Sequence, residues 1–214
     1  MDYNNKPDTY YTNVRQEMID FMPKTAKTVL DVGCGEGAFA SYIMNKFNIE
    51  AWGIEMTTGP ASIAKTKLNN VLIGACEDKI AELPDHYFDV IYFNDILEHL
   101  VDPYAVLKSI KAKLSKNGII ISSIPNVRYF RVLKKLIVNK NWEYEKDGVL
   151  DKTHLRFFTS KSIQKMYTDL DYKIQSHQGI NKTKSIKPYL YNIPLFFSAK
   201  DIFYIQYATV VKAN

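Results

Sequence analysis

Nine residues, Val29-Leu30-Asp31-Val32-Gly33-Cys34-Gly35-Glu36-Gly37, constrain this chain more than any others. An apolar run ends in a glycine-dense turn, and Ala38-Phe39-Ala40-Ser41-Tyr42-Ile43-Met44 then reads as the start of a helix. Glycine lacks the Cβ that holds a ligand away from the backbone, and it accepts positive φ. A helix N-terminus behind such a turn presents unpaired N–H donors. Strand, glycine turn and helix together predict a parallel α/β unit that holds part of a nucleotide-like molecule.

The rest of the chain extends the alternation, as expected of a parallel sheet with crossover helices. Residues 10–22 read as a helix stopped by Pro23, and Thr28–Val32 as the first strand. Further strands are expected at Glu50–Ile54, Val71–Ile73, Phe88–Phe93 and Ile119–Ile124, and two closing strands at Tyr172–His177 and Phe203–Val211. Helices are expected near 37–47, 60–69, Pro103–Leu114 and 160–170, the last capped by Thr159 or Ser160. Two segments, 126–158 and 180–200, fall outside the alternation. Ligands of open α/β sheets bind at the carboxyl ends of the strands, and both segments attach near that edge. They are expected to cover a substrate.

With 214 residues and 46% apolar content, the chain suits one domain over residues 1–214. Its first residues are polar and do not resemble a secretion signal, and no apolar run approaches the ~18 residues of a membrane span. Cys34 and Cys76 have no metal-ligand spacing and suggest no disulfide framework, so a cytoplasmic location is expected. The net charge of +5 is modest but uneven: residues 127–146 carry six Lys or Arg against two Glu. That segment could meet an anionic membrane surface, bind the phosphate of an activated sugar, or form a lid helix with a solvated basic face. The mild charge and the lack of an aromatic–basic motif argue against nucleic acid.

Gly33-x-Gly35-x-x-Ala38 formally satisfies the dinucleotide pattern G-x-G-x-x-G/A. Asp31-Val32-Gly33-Cys34-Gly35-x-Gly37, however, resembles the first motif of class I S-adenosylmethionine-dependent methyltransferases almost letter for letter. Three further stretches carry the resemblance: Phe88–Leu100 with Asp102-Pro103; Ser123-Ile124-Pro125-Asn126; and Asp151-Lys152-Thr153-His154-Leu155-Arg156-Phe157-Phe158-Thr159. Within the class, the chain looks most like small O-methyltransferases of glycan and O-antigen biosynthesis. The resemblance implies S-adenosyl-L-methionine as cofactor. It also implies a Rossmann-like, doubly wound, three-layer α/β/α fold, whose seven-stranded, mostly parallel sheet has an antiparallel last strand.

On this resemblance, Asp31 bonds the cofactor's amino group, and Gly33, Cys34 and Gly35 bring backbone close to its methionine and ribose parts. Glu55, at the end of the second strand, can accept both ribose hydroxyls, with Met56 beside it. The family's usual Gly-Asp pattern after strand three is absent: Ala75 stands where Asp is frequent, and Cys76 with Glu77 or Asp78 are the substitutes. Asn94 and Asp95 face the sulfonium end. Tyr11 can pack on the cofactor and Arg15 can reach its carboxylate. His99 and His154 are the candidate general bases, since imidazole titrates near neutrality. Arg156 can hold a phosphate or carboxylate. Asp95, Glu98 and His99 have a spacing used near divalent cations in related quinone-pathway enzymes, but no metal is assigned. The expected reaction is methyl transfer to a hydroxyl oxygen of a sugar or glycan precursor. Alternatives are a quinone or lipid-like phenol as acceptor, a nicotinamide oxidoreductase, and a non-catalytic cofactor-binding module.

Overall fold

A computed structural model describes residues 14–214. Seven strands form one sheet in the order β3-β2-β1-β4-β5-β7-β6. They are β1 (Thr28–Val32), β2 (Glu50–Glu55), β3 (Asn70–Ile73), β4 (Phe88–Asn94), β5 (Leu114–Pro125), β6 (Tyr172–Lys182) and β7 (Tyr204–Ala213). The pairs among β1 to β5 are parallel, and β7 runs antiparallel between β5 and β6.

Side chains alternate across each strand, which places two apolar layers on the sheet. Leu30, Ile91 and Ile120 face helices Pro103–Ile110 and Ser160–Asp169 through Leu107, Ile110, Ile163 and Met166. Val29, Val90 and Ile121 face the other way, against Phe39 and Ile43 of helix Ala38–Phe47 and Met18 of helix Gln16–Ile19. Burying a large apolar side chain contributes about 1.5–3 kcal/mol, and the central strands do so on both faces. This gives the doubly wound, three-layer arrangement.

Helix ends follow local chemistry. Asp102 accepts the N–H groups of Tyr104 and Ala105, both at 3.0 Å, with Pro103 in the first turn. Thr159, rather than Ser160, caps Ser160–Asp169 through a reciprocal box with Ser162.

The structure shifts several expected boundaries. The helix expected at 60–69 is Thr58–Ala64. The helix from Pro103 ends at Ile110, because β5 begins at Leu114, five residues ahead of its apolar run, with a register shift against β4. β6 continues to Lys182 by pairing with β7, so the first residues of 180–200 are strand. The remainder holds helix Lys187–Asn192 and two short 3₁₀ turns. Within the basic segment 127–146, for which a lid helix is one reading, the structure has four α-helical residues, Phe130–Leu133, followed by a π turn over Lys134–Val138. Segments 126–158 and 180–200 share a small core of their own, which includes Tyr129, Phe130 and Leu150 from one and Ala199 from the other, with Ile202 and Phe203 beyond it.

Candidate active site

A cavity of about 540 Å³ opens at the carboxyl ends of β1, β2 and β4. Gly33, Gly35 and Gly37 all have positive φ. At Gly33 (φ +75°) a Cβ would lie 2.0 Å from Ile96 Cδ1, so the turn leaves no room for a side chain on that backbone.

Glu55 holds this loop in place. Its Oε2 accepts the Gly35 N–H at 2.9 Å and its Oε1 accepts the Thr57 N–H at 2.8 Å. Each carboxylate oxygen has further acceptor capacity toward the cavity. Asp31 is buried on β1, and its carboxyl is pushed up to about 8, first by burial and then by the nearby Glu55 charge. A bound cation would relieve that cost. Met56, Cys76 and Glu77 line the adjoining wall, with Cys76 Sγ 3.3 Å from Glu77 Oε2. Burial pushes both cysteine thiols up, Cys34 and Cys76 alike, so they are packing groups rather than nucleophiles.

The opposite wall comes from the β4 end. Asn94 lines the cavity, and its buried side-chain N and O have no hydrogen-bond partner among the described residues. Asp95 has φ +56° and accepts from Ser123 Oγ (3.0 Å), Gln206 Nε2 (2.7 Å) and the Arg15 guanidinium. Arg15 also donates to Glu17 (2.7 Å) and Gln206 (3.1 Å). Three of its five N–H donors are thus used among the described residues.

His99 lines the same cavity. Its Nδ1 lies 3.1 Å from the Thr153 carbonyl. A carbonyl only accepts, so the proton sits on Nδ1 and the lone pair of neutral His99 is on Nε2. His154 is not among the cavity-lining residues. Its ring meets that of His99 edge-on, with centroids 4.7 Å apart, and its Nδ1 lies 3.0 Å from the Val149 carbonyl. Its Nε2 is 3.9 Å from Oε1 of the buried Glu98. Burial, with Asp95 adding to it, pushes the Glu98 carboxyl well above the ordinary range, and neither oxygen has a hydrogen bond among the described residues. Glu98, His99 and His154 offer donor atoms all within 4.8 Å of one another. The sequence spacing groups Asp95 with Glu98 and His99. The fold gives that third place to His154, because Asp95 is committed to Arg15, Ser123 and Gln206.

The motif around His154 also ties the insertion to the sheet. The N–H groups of Leu155 and Arg156 bond the Glu98 carbonyl at 2.9 and 3.0 Å, and Arg156 donates to the Val101 carbonyl at 2.6 Å. Tyr11 lies outside the described residues. Gln206 and the Ser123 hydroxyl were not anticipated as site groups. Ser123, near the end of β5, could have been found from the strand-end rule. Gln206 depends on β7 running antiparallel into the sheet.

A family model described as a methyltransferase domain matches residues 8–177. The chain belongs to that family. A ubiquinone biosynthesis O-methyltransferase of Histophilus somni is 35% identical over 111 residues, covering 48% of this chain and 46% of that protein. Phosphoethanolamine N-methyltransferase 1 of Arabidopsis thaliana is 31% identical over 105 residues, covering 47% of this chain and 21% of that protein. The chain thus spans about half or less of the length of the curated relatives it matches. The solved structure of a SAM-dependent methyltransferase from Thermotoga maritima superposes with a TM-score of 0.67 at 21% identity, over 96% of this chain and 89% of that one. As a member of the methyltransferase family, the chain takes S-adenosyl-L-methionine as its cofactor. Its cavity fits that cofactor: a side-chain-free cradle, a loop clasped by Glu55, and a buried acid that a cation would relieve. Among the described residues no helix is long and apolar enough to cross a membrane.

Proposed function

We propose that this methyltransferase acts on the hydroxyl oxygen of a quinol- or catechol-like phenol rather than of a sugar. The observation that carries the reading is His99, a cavity-lining imidazole whose Nδ1 donates to the Thr153 carbonyl, so that the neutral ring carries its basic lone pair on Nε2. An unperturbed imidazole titrates near 6.5 and a phenol near 10, while water, a guide to aliphatic hydroxyls, is near 15.7. A histidine base is far better matched to the phenol. The O-methyltransferase relatives support the same acceptor class. They match only part of their own length, so the acceptor side rests on this chain's own residues.

Bound S-adenosyl-L-methionine supplies the electrophilic methyl group. In this reading Glu55 accepts the ribose hydroxyls, and Asp31 bonds the amino group. Cys76 and Glu77 face the adenine, and Arg15 directs its guanidinium to the carboxylate. Asn94 and Asp95 border the sulfonium end. His99 takes the acceptor's proton, and His154 with Glu98 holds and buffers His99. Segments 126–158 and 180–200 cover the acceptor within one domain. Two buried free cysteines accord with a reducing, cytoplasmic setting.

The same trio supports a second reading. Two imidazoles, each anchored at Nδ1 by a carbonyl, beside a buried carboxyl with no hydrogen bond among the described residues form a set that fits a divalent cation. Transfer of labelled methyl from S-adenosylmethionine to a soluble catechol and to a nucleotide-activated deoxysugar tests the acceptor. Label on the catechol is expected, and label only on the sugar overturns the phenol reading. Chelation that abolishes transfer, with recovery on adding a divalent cation, selects the cation reading over general-base catalysis by His99.

A further inference from the structure

The loop joining β6 to β7 is built inside out. Its polar Asn192 is fully buried, donating to the Ala199 carbonyl at 2.9 Å and accepting the Ala199 N–H at 3.0 Å. The Phe197 N–H closes on the Asn192 carbonyl at 3.0 Å. The backbone is therefore satisfied and fixed. The apolar side chains point outward instead: Ile186 is 73% exposed, Phe196 93% and Phe197 51%. Both phenylalanines have left-handed backbones, with φ of 49° and 57°. That conformation is unfavourable for a residue with a Cβ, and here it gains no burial in return. Contiguous exposed apolar surface marks a partner rather than a core.

Charge identifies the partner. Residues 182–200 contain Lys182, Lys184, Lys187 and Lys200 and no acidic residue. The neighbouring segment 127–142 has five basic residues and no acidic one, and it exposes Leu136, Ile137 and Val138. The two segments are joined by the Phe130 and Tyr191 rings, 6.4 Å apart, and by an ion pair between Arg128 and Asp201. A second copy of the chain docking here about a two-fold axis would set lysine against lysine. Exposed aromatic and aliphatic side chains in segments that carry lysine and no acid match the interfacial zone of an anionic bilayer. We propose that this platform docks on an anionic lipid surface, with Phe196 and Phe197 entering the interfacial region and the lysines meeting the headgroups. The inference does not depend on which acceptor is methylated.

The test is co-sedimentation of the full chain with phosphatidylcholine vesicles, with and without a third of phosphatidylglycerol. Binding to the anionic vesicles is expected, weakening as salt is raised. Phe196→Ser/Phe197→Ser should lower partitioning by about tenfold or more, and Lys184→Gln/Lys187→Gln should lower it and flatten its salt dependence. Unchanged S-adenosylhomocysteine affinity shows that the variants are folded. The proposal is overturned if the parent stays in the supernatant, if the phenylalanine variant binds undiminished, or if that variant alters only the oligomeric state. Transfer to a soluble catechol needs no lipid, so failure of the phenol reading registers separately.

Discussion

The cofactor side and the acceptor side proposed for this molecule are built on different principles. On the cofactor side the decisive groups are strand ends and the residues just after them: Asp31, Gly33, Gly35, Glu55 and Asn94 lie on or directly after β1, β2 and β4. Backbone pairing positions them, and burial on both sheet faces keeps the strands in place. On the proposed acceptor side the decisive groups meet through side chains distant in sequence, such as His99 with His154 and His154 with Glu98. The first design fixes a ligand common to a whole family. The second leaves the acceptor free to vary, and the curated relatives match about half of this chain or less.

The largest effect should come from the acceptor side. His99→Ala is expected to lower turnover by about 10²–10⁴-fold, the usual contribution of a general base, with S-adenosylhomocysteine affinity retained. His154→Ala should lower turnover less, because His154 meets the cavity only through His99. Equal losses in both variants would make the two rings one unit and blur the contrast.

A loss of binding rather than turnover is expected from Glu55→Ala. The change removes a charged acceptor of two N–H groups inside the protein as well as the proposed ribose contact. Hydrogen bonds to charged groups contribute about 1.5–3 kcal/mol, which by titration calorimetry is roughly 10–150-fold in S-adenosylhomocysteine affinity. Unchanged affinity in a folded variant would falsify the clasp.

Gly33→Ala should cost about 1–2 kcal/mol from the left-handed backbone alone, before Ile96 shifts to make room. For a chain of this size each kcal/mol lowers Tm by about 2–4 °C. A melting temperature equal to that of the parent would show that the turn is less constrained than its φ implies.

The smallest effects lie in pH dependence, and two buried groups, one at the cavity and one away from it, should respond in opposite directions. Asp31 is raised to about 8 when folded. Its contribution is full below its ordinary value near 4 and is lost as pH rises through about 8. Asp31→Asn should flatten that alkaline decline in a series of melts. Binding S-adenosylmethionine near pH 7 should also release close to one proton, read by calorimetry in buffers of different ionisation enthalpy. His177 lies between β6 and β7, bonded to Ser160 Oγ and Thr209 Oγ1 at 2.9 Å each. Burial lowers it to about 4. Its contribution is full above about 6.5 and is lost as pH falls through about 4. His177→Gln should flatten only this acid decline.

The sequence by itself determined the alternating sheet, the glycine turn, the helix caps at Asp102 and Thr159, and the acid at the end of β2. Each is a local matter: apolar alternation, missing Cβ atoms and side chains that bond their own neighbouring backbone act over a few residues. The family pattern adds the cofactor. The tertiary structure alone decided that Glu55 clasps Gly35 and that Gln206 crosses from β7 to Asp95. It also placed His154, rather than Asp95, beside Glu98 and His99, and it turned Phe196 and Phe197 outward around a buried Asn192. Those outcomes depend on which strand lies beside which and on which donor reaches a buried acceptor first. Such competition runs between residues tens to more than a hundred positions apart, and no local pattern records it.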